Sequence, residues 1–227
     1  MNYSDLVTSI SDYTENTFET FDVNRFIEQA EQRIYNSVQF PSLRKNVTGV
    51  LTSSNKYLSA PDDFLSTYSL AVIEDYGLST ERYTYLLNKD VNFIREAYPE
   101  TGAAYNGLPK YYALFGPTVV SGGITNELTF IMGPTPDAAY NVELHYYYYP
   151  ESITVAADGR TWLGDNFDTV LLYGSLVEAY TYMKGENDMM ALYNGKYQEA
   201  LALAKRLGDG MERQDAYRSG QYRQAVT

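Results

Sequence analysis

Apolar residues recur every three or four positions at both ends of the chain and every second position through its middle. Near the start, Leu6, Ile10 and Tyr13 share one side of a short helix predicted over Tyr3 to Glu15, with Ser4 as its cap. A clearer helix begins near Asp22 to Asn24 and carries Phe26, Ile27, Ala30, Ile34 and Val38 on one stripe. Glu28, Glu31, Gln32 and Arg33 lie opposite, as a solvated face. Phe40-Pro41 ends this helix, because the residue before a proline avoids the helical region.

From Arg44 to about Thr154 the period shortens to two. Strands are predicted at Val47 to Leu51, Lys56 to Ser59, Tyr68 to Ile73, Arg82 to Leu87, Tyr111 to Phe115, Leu128 to Met132 and Val142 to Tyr149. A single helical excursion runs from Lys89-Asp90 to Tyr98, closed by Pro99. Ala60-Pro61-Asp62-Asp63, Gly116-Pro117, Ser121-Gly122-Gly123 and Gly133-Pro134 punctuate the strands as turns and loops. Val142 to Tyr149 places large side chains on both faces of its strand, so it is covered on both sides or lies at an interface.

Asp165 to Leu207 returns to the helical period as two long helices joined by Lys184-Gly185-Glu186-Asn187. Asp165 or Asn166 is the expected cap of the first, with Asp168 as an anion near its positive end. That helix is apolar on two stripes, one of Phe167, Val170, Leu171, Gly174 and Val177, the other of Leu172, Leu176, Tyr180 and Met183. Between Thr169 and Met183 its only charge is Glu178, a pattern that calls for burial on several sides. Other copies of the chain are one way to cover the second stripe. The following helix turns Met189, Tyr193, Tyr197, Ala200, Ala204 and Leu207 inward and stops at Gly208-Asp209-Gly210.

The fold class expected is α+β: a helical bundle from N- and C-terminal segments with an inserted small antiparallel β-domain. The boundaries are 1–43 for the N-terminal helices, 44–160 for the insertion, 161–207 for the C-terminal hairpin and 208–227 for an extended tail.

Charge and composition narrow the function. The net charge is −12, which argues against a primary nucleic-acid binder but suits a wall past which nucleic acid slides. From Lys205 on the chain carries about +2, leaving about −14 on the body, so the tail reads as a docking segment. Tyrosine occurs 24 times, and its stiff amphipathic side chain suits surfaces that become buried on association. No run of apolar residues is long enough to span a membrane, and the start lacks a secretion signal, so the cytoplasm in which it is synthesised is its expected place.

Chemistry is sparse. The chain has no cysteine and one histidine, which removes thiolate nucleophiles, Cys–His pairs and multi-histidine metal sites. His145 lies mid-strand and reads as a satisfied strand residue. Asp158, Asp165 and Asp168 cluster near Trp162 but lack the calcium-loop spacing, and helix-start roles account for Asp165 and Asp168. No glycine loop has the strand–loop–helix context of a phosphate cradle. No cofactor, metal or catalytic residue is assigned. Tyr146 to Tyr149 and Trp162 remain as stacking platforms for sugar rings, which keeps a carbohydrate- or receptor-binding component as the alternative. A carboxylate-dependent hydrolase around Asp158 to Asp168 is a third.

The order of segments from Phe26 to Arg206 resembles the head-to-tail adaptor (connector, neck) proteins of tailed bacteriophages, including those called tail tubular protein A. The residues that carry the resemblance are Arg25 to Tyr35, Tyr57 to Phe64, Gly107 to Leu114, Phe130 to Asp137, Tyr146 to Pro150, Trp162-Leu163 and Val170 to Ala179. The resemblance implies a structural protein of the virion neck, assembled as a ring, typically of twelve copies, between the portal protein and a tail nozzle, tube or fibre. DNA would pass through the ring without specific binding. It also implies that the C-terminal segment reaches along the portal, which assigns Arg206, Arg213, Tyr217, Arg218, Tyr222 and Arg223 to portal docking. Leu172, Leu176, Tyr180, Tyr147 and Tyr149 are the residues expected between subunits of the homo-oligomer.

Overall fold

The computed structural model describes residues 1–100, 102–116, 118–120, 123–126 and 128–212. The N-terminal stripes form α1 (Tyr3–Thr14) and α2 (Thr20–Ser37). Asn2, not Ser4, caps α1: its side-chain oxygen accepts the Asp5 N–H. In α2 the buried residues Phe26, Ile27, Ala30 and Ile34 fall on the stripe read from their spacing. The helix starts earlier than expected, at Thr20, and stops at Ser37, before Pro41.

Strands β1 (Arg44–Val50), β2 (Tyr57–Ser59), β3 (Ser66–Glu74), β4 (Arg82–Tyr85) and β5 (Leu87–Asn88) follow, then α3 (Val91–Ala97). Next come β6 (Tyr111–Phe115), β7 (Thr118–Val120), β8 (Gly123–Asn126), β9 (Thr129–Gly133) and β10 (Asn141–Tyr147). The chain ends its described part with α4 (Trp162–Asn166), α5 (Asp168–Met183) and α6 (Asn187–Glu212). The α+β class holds, with helices at both ends of the chain and antiparallel sheets between them.

Contacts divide the molecule into two compact units, one of Met1–Leu43 with the chain from Tyr149 on, the other of Arg44–Tyr148. The segment after Tyr149 sits with the helices through specific bonds: Tyr149 donates to Asn36, the Ile153 N–H to Glu31, and the Tyr3 N–H to the Gly159 carbonyl.

In the second unit, one sheet has the strand order β1-β10-β3-β4 and is antiparallel throughout. The other has the order β2-β9-β6-β5, closed at one edge by the short parallel pair β5/β6. Leu70, Val72, Val142, Leu144 and Tyr146 of the first sheet meet Tyr112, Phe130 and Met132 of the second in one core. At ~1.5–3 kcal/mol for each large side chain taken out of water, this inner layer holds the sandwich together. Along β10 burial alternates residue by residue, so Val142, Leu144 and Tyr146 face the core while Glu143, His145 and Tyr147 stand half-buried on the other face. Ile94 of α3 covers Ala113 and Ile131 on the back of the second sheet. Residues read from the sequence only as loop around Gly116 and Gly123 form the additional hairpin β7/β8.

In the first unit, α5 is the central helix. It packs on α1, α2, α4 and α6, and eight of its residues are buried. Gly174 lets α2 and α6 approach α5 closely. A Cβ there would lie 3.1 Å from Ala30 Cβ and 3.2 Å from the Tyr197 ring. Two features differ from the expected hairpin. Thr161 caps a separate one-turn helix, α4, by accepting the Gly164 N–H, so Asp165 lies inside α4 and Phe167 precedes α5. And α6 runs through Gly208 to Glu212. Gly208 is buried against α2's exit, where a Cβ would sit 2.9 Å from the Gln39 carbonyl oxygen. Glycine serves close packing there, not termination.

Glu31, expected on the solvated face of α2, is instead the one buried carboxylate among the described residues, 3 % exposed. It accepts the Ile153 N–H at 3.0 Å and a bond from Ser152. Burial raises its pKa above the ordinary 4.5, against the pull of those bonds. An acid with a raised folded pKa binds its proton more tightly in the folded state, so its contribution to stability falls as pH rises through the folded value. Glu31→Gln keeps a carbonyl acceptor for Ile153 and removes the charge. Its stability relative to the parent is therefore expected to improve from about pH 4.5 towards neutrality, as urea melts at several pH values would show. A parallel pH dependence in both proteins would contradict this role.

Candidate functional site

Site residues expected between subunits separate into two groups. Leu172 and Leu176 are 8 % and 0 % exposed within the single chain. The chain's own helices enclose both inside the bundle, so neither is open to a neighbouring copy, while Tyr180 and Met183 of the same stripe are half-buried. Tyr180 is half-buried and stacks edge-on against Tyr193 at 4.9 Å between centroids. Tyr193 joins Tyr13 and Tyr173 in the same aromatic cluster, and its hydroxyl is pushed up to about 12 by burial and by the bond with Tyr180. Tyr149 is 38 % exposed. Tyr147 is half-buried on the outer face of the first sheet, edge-on to Tyr68, with the Arg44 guanidinium over both rings.

Of the residues assigned to portal docking, Arg206 is exposed on α6. Arg213, Tyr217, Arg218, Tyr222 and Arg223 lie outside the described residues. Leu207, expected inward, is 52 % exposed and joins Leu192 and Leu203 on the solvent side of α6. On a helix these positions fall within one face, so α6 carries a second apolar stripe beside Tyr193, Tyr197 and Ala204. Sequence spacing did hold this signal, but Leu207 also fits the inner stripe, and only packing separates the two.

The candidates for chemistry find ordinary roles. Asp165 pairs with Arg160 at 3.0 Å, and Asp168 opens α5 and accepts a bond from Thr169. No group of acidic or histidine side chains among the described residues is arranged to hold a metal. His145 Nδ1 lies 3.3 Å from the Ser69 hydroxyl, on a sheet face. The stacking platforms are largely occupied: Tyr146 is 1 % exposed, and Trp162 packs against Phe40 and Phe167 at centroid distances of 5.2 and 5.5 Å. Tyr146 is thereby closed to a sugar, and Trp162 is half-buried against those two rings. Tyr146 instead donates to Asp63 at 2.7 Å. Burial opposes the Asp63 charge, but bonds from Lys45 and Tyr146 hold its pKa below the usual carboxylate value.

A shallow depression of about 560 Å³ opens in the helical unit between the α1–α2 connection and the end of α5, lined by Phe18, Glu19, Asp22 and Tyr182. It is open, without the enclosing walls of a substrate cavity. Large apolar side chains are exposed in each unit: Phe21 is 75 % exposed in the helical unit, and Tyr83, Tyr85, Leu78 and Val50 are exposed in the β-unit. No described helix is long and apolar enough to cross a membrane. Such surfaces, without a catalytic constellation beside them, are suited to contact with other proteins.

The search among curated proteins returned no match to this chain. The scan against protein families matches residues 1–224 to the family described as SU10 adaptor protein. Nearly the whole chain is covered, helical ends and β-insertion alike, and the chain therefore belongs to the SU10 adaptor protein family, a family of structural phage proteins.

Proposed function

We propose that this protein assembles as a ring, of about twelve copies by its resemblance to tail tubular protein A-like adaptors, between the portal protein and the tail of the phage particle. The family match along the chain is the observation that carries the reading. The exposed apolar side chains of both units support it, because a chain that works alone has little use for so many. Tyr147, Tyr149 and Tyr180 stay in the proposed subunit contacts, joined by Leu192, Leu203 and Leu207.

The acidic body is the proposed channel wall. With about −14 outside the C-terminal segment, it repels DNA phosphates and lets the duplex move through without lodging. The C-terminal segment, basic on balance, is the proposed portal contact, and the opposite side of the ring would receive the nozzle, tube or fibre proteins. Light scattering after size exclusion, alone and with the cognate portal, tests the reading. A species many times the 25.7 kDa of one chain is expected in at least the portal mixture. A monomer under both conditions would overturn it.

A further inference from the structure

Among the described residues, the first sheet of the β-unit ends in two strands with no partner on their outer side, and their geometry is complementary. β1 forms one edge and β4 the other, with β10 and β3 between them. Every neighbouring pair is antiparallel, so β1 and β4 run in opposite directions. Two copies placed side by side in the same orientation therefore bring β4 of one against β1 of the next in an antiparallel sense, the stronger of the two pairing modes.

Free edges of this kind are normally guarded by proline, bulges, short length or charged side chains. β1 is seven residues long, has no proline and pairs with β10 without a register shift. Its two charged residues do not guard the edge. Arg44 lies over the Tyr68 and Tyr147 rings, and Lys45 is bonded to Asp63 at 2.6 Å. On β4, Tyr83 and Tyr85 are 43 % and 62 % exposed, and Val50 at the end of β1 is 59 % exposed. The register places Tyr83 and Tyr85 on the same sheet face as Asn46, Thr48 and Val50. An added strand in matching phase covers tyrosine with β-branched and polar partners, the kind of cross-strand pair that stabilises sheets.

We infer that neighbouring copies join by strand addition, β4 of one subunit pairing with β1 of the next. The partner at both edges is a second copy of this chain, and because the two edges differ, the contact is head-to-tail and closes only as a ring or grows as a filament. The inference rests on the ring reading above and names the contact that forms it.

The natural absence of cysteine makes a direct test available. Three double variants each combine Tyr83→Cys with Asn46→Cys, Thr48→Cys or Val50→Cys, which together cover the in-phase registers that pair more than two residues of β4 with β1. Within one chain these positions are three strand spacings apart, about 14 Å, too far for a disulfide that needs Cα atoms within about 7 Å. Only neighbouring chains can be bridged. Each variant is checked for folding by circular dichroism and for assembly with portal by light scattering, then oxidised and run without reductant. A ladder of covalent species beyond the dimer is expected for at least one pair, whereas each single-cysteine variant stops at dimer. A folded double variant that fails to assemble, where the parent assembles, also places these side chains in the contact. Assembly without a ladder in all three would overturn the strand-addition inference and leave the ring standing. A parent chain that does not assemble would overturn the ring reading and this inference with it.

Discussion

Replacing Gly174 with leucine is expected to destabilise the helical unit by about 3 kcal/mol, near the upper end for overpacking a close helix contact. Gly174 sits in the middle of α5, where a glycine costs roughly 1 kcal/mol relative to alanine. Something must offset that cost. Ala30 of α2 and Tyr197 of α6 are 0 % and 1 % exposed and stand within 3.2 Å of where a Cβ would lie. Neither can retreat into solvent, so a leucine has to move α2 or α6 as a body. That movement also separates Arg33 of α2 from its ion-pair partner Glu178 on α5. In thermal unfolding the change should read as a midpoint lower by roughly 6–12 °C for a chain of this size. Gly174→Ala is the informative control. Its helix propensity gain opposes a contact tight by a few tenths of an ångström, and the net is expected to be within about 1 kcal/mol of zero. An unchanged midpoint in the leucine variant would mean that α2, α5 and α6 are not packed as described.

Removing residues 213–227 is expected to abolish attachment to the portal while the body keeps its fold. The cut is placed after Glu212 because α6 continues through Gly208 and Gly210. A cut at Gly208 would also remove a buried contact with Gln39 and confuse a folding defect with a binding defect. The segment removed contains Arg213, Arg218 and Arg223 with Tyr217 and Tyr222, residues suited to ion pairing and partial burial at an interface. Pull-down with the portal reads binding, and circular dichroism reads the fold. Portal binding retained by the truncated chain would remove the docking assignment.

Much of the fold could be read from the sequence because burial and period coincide in it. Phe26, Ile27, Ala30 and Ile34 repeat at helical spacing and are the buried stripe of α2. β6 runs from Tyr111 to Phe115, between the breaks that Pro109 and Gly116 mark in the sequence. Where the reading failed, one residue type had two physical uses. Gly208 looks like a helix stop but permits a close approach to α2, and Asp165 looks like a helix cap but is held in α4 by Arg160. Leu172 and Leu176 looked like spare surface because pattern alone does not count the helices around α5. The edges of the first sheet were not legible at all. Which strand is outermost depends on pairing between β1 and β10, residues about a hundred positions apart, and periodicity carries no trace of such pairing.

A ring of this chain on a portal can be seen directly by electron microscopy of the purified protein mixed with its cognate portal. A rotationally symmetric collar of added density is expected on the tail side of the portal, about twelve copies around, with the central channel open. Bare portals beside dispersed single chains would contradict it.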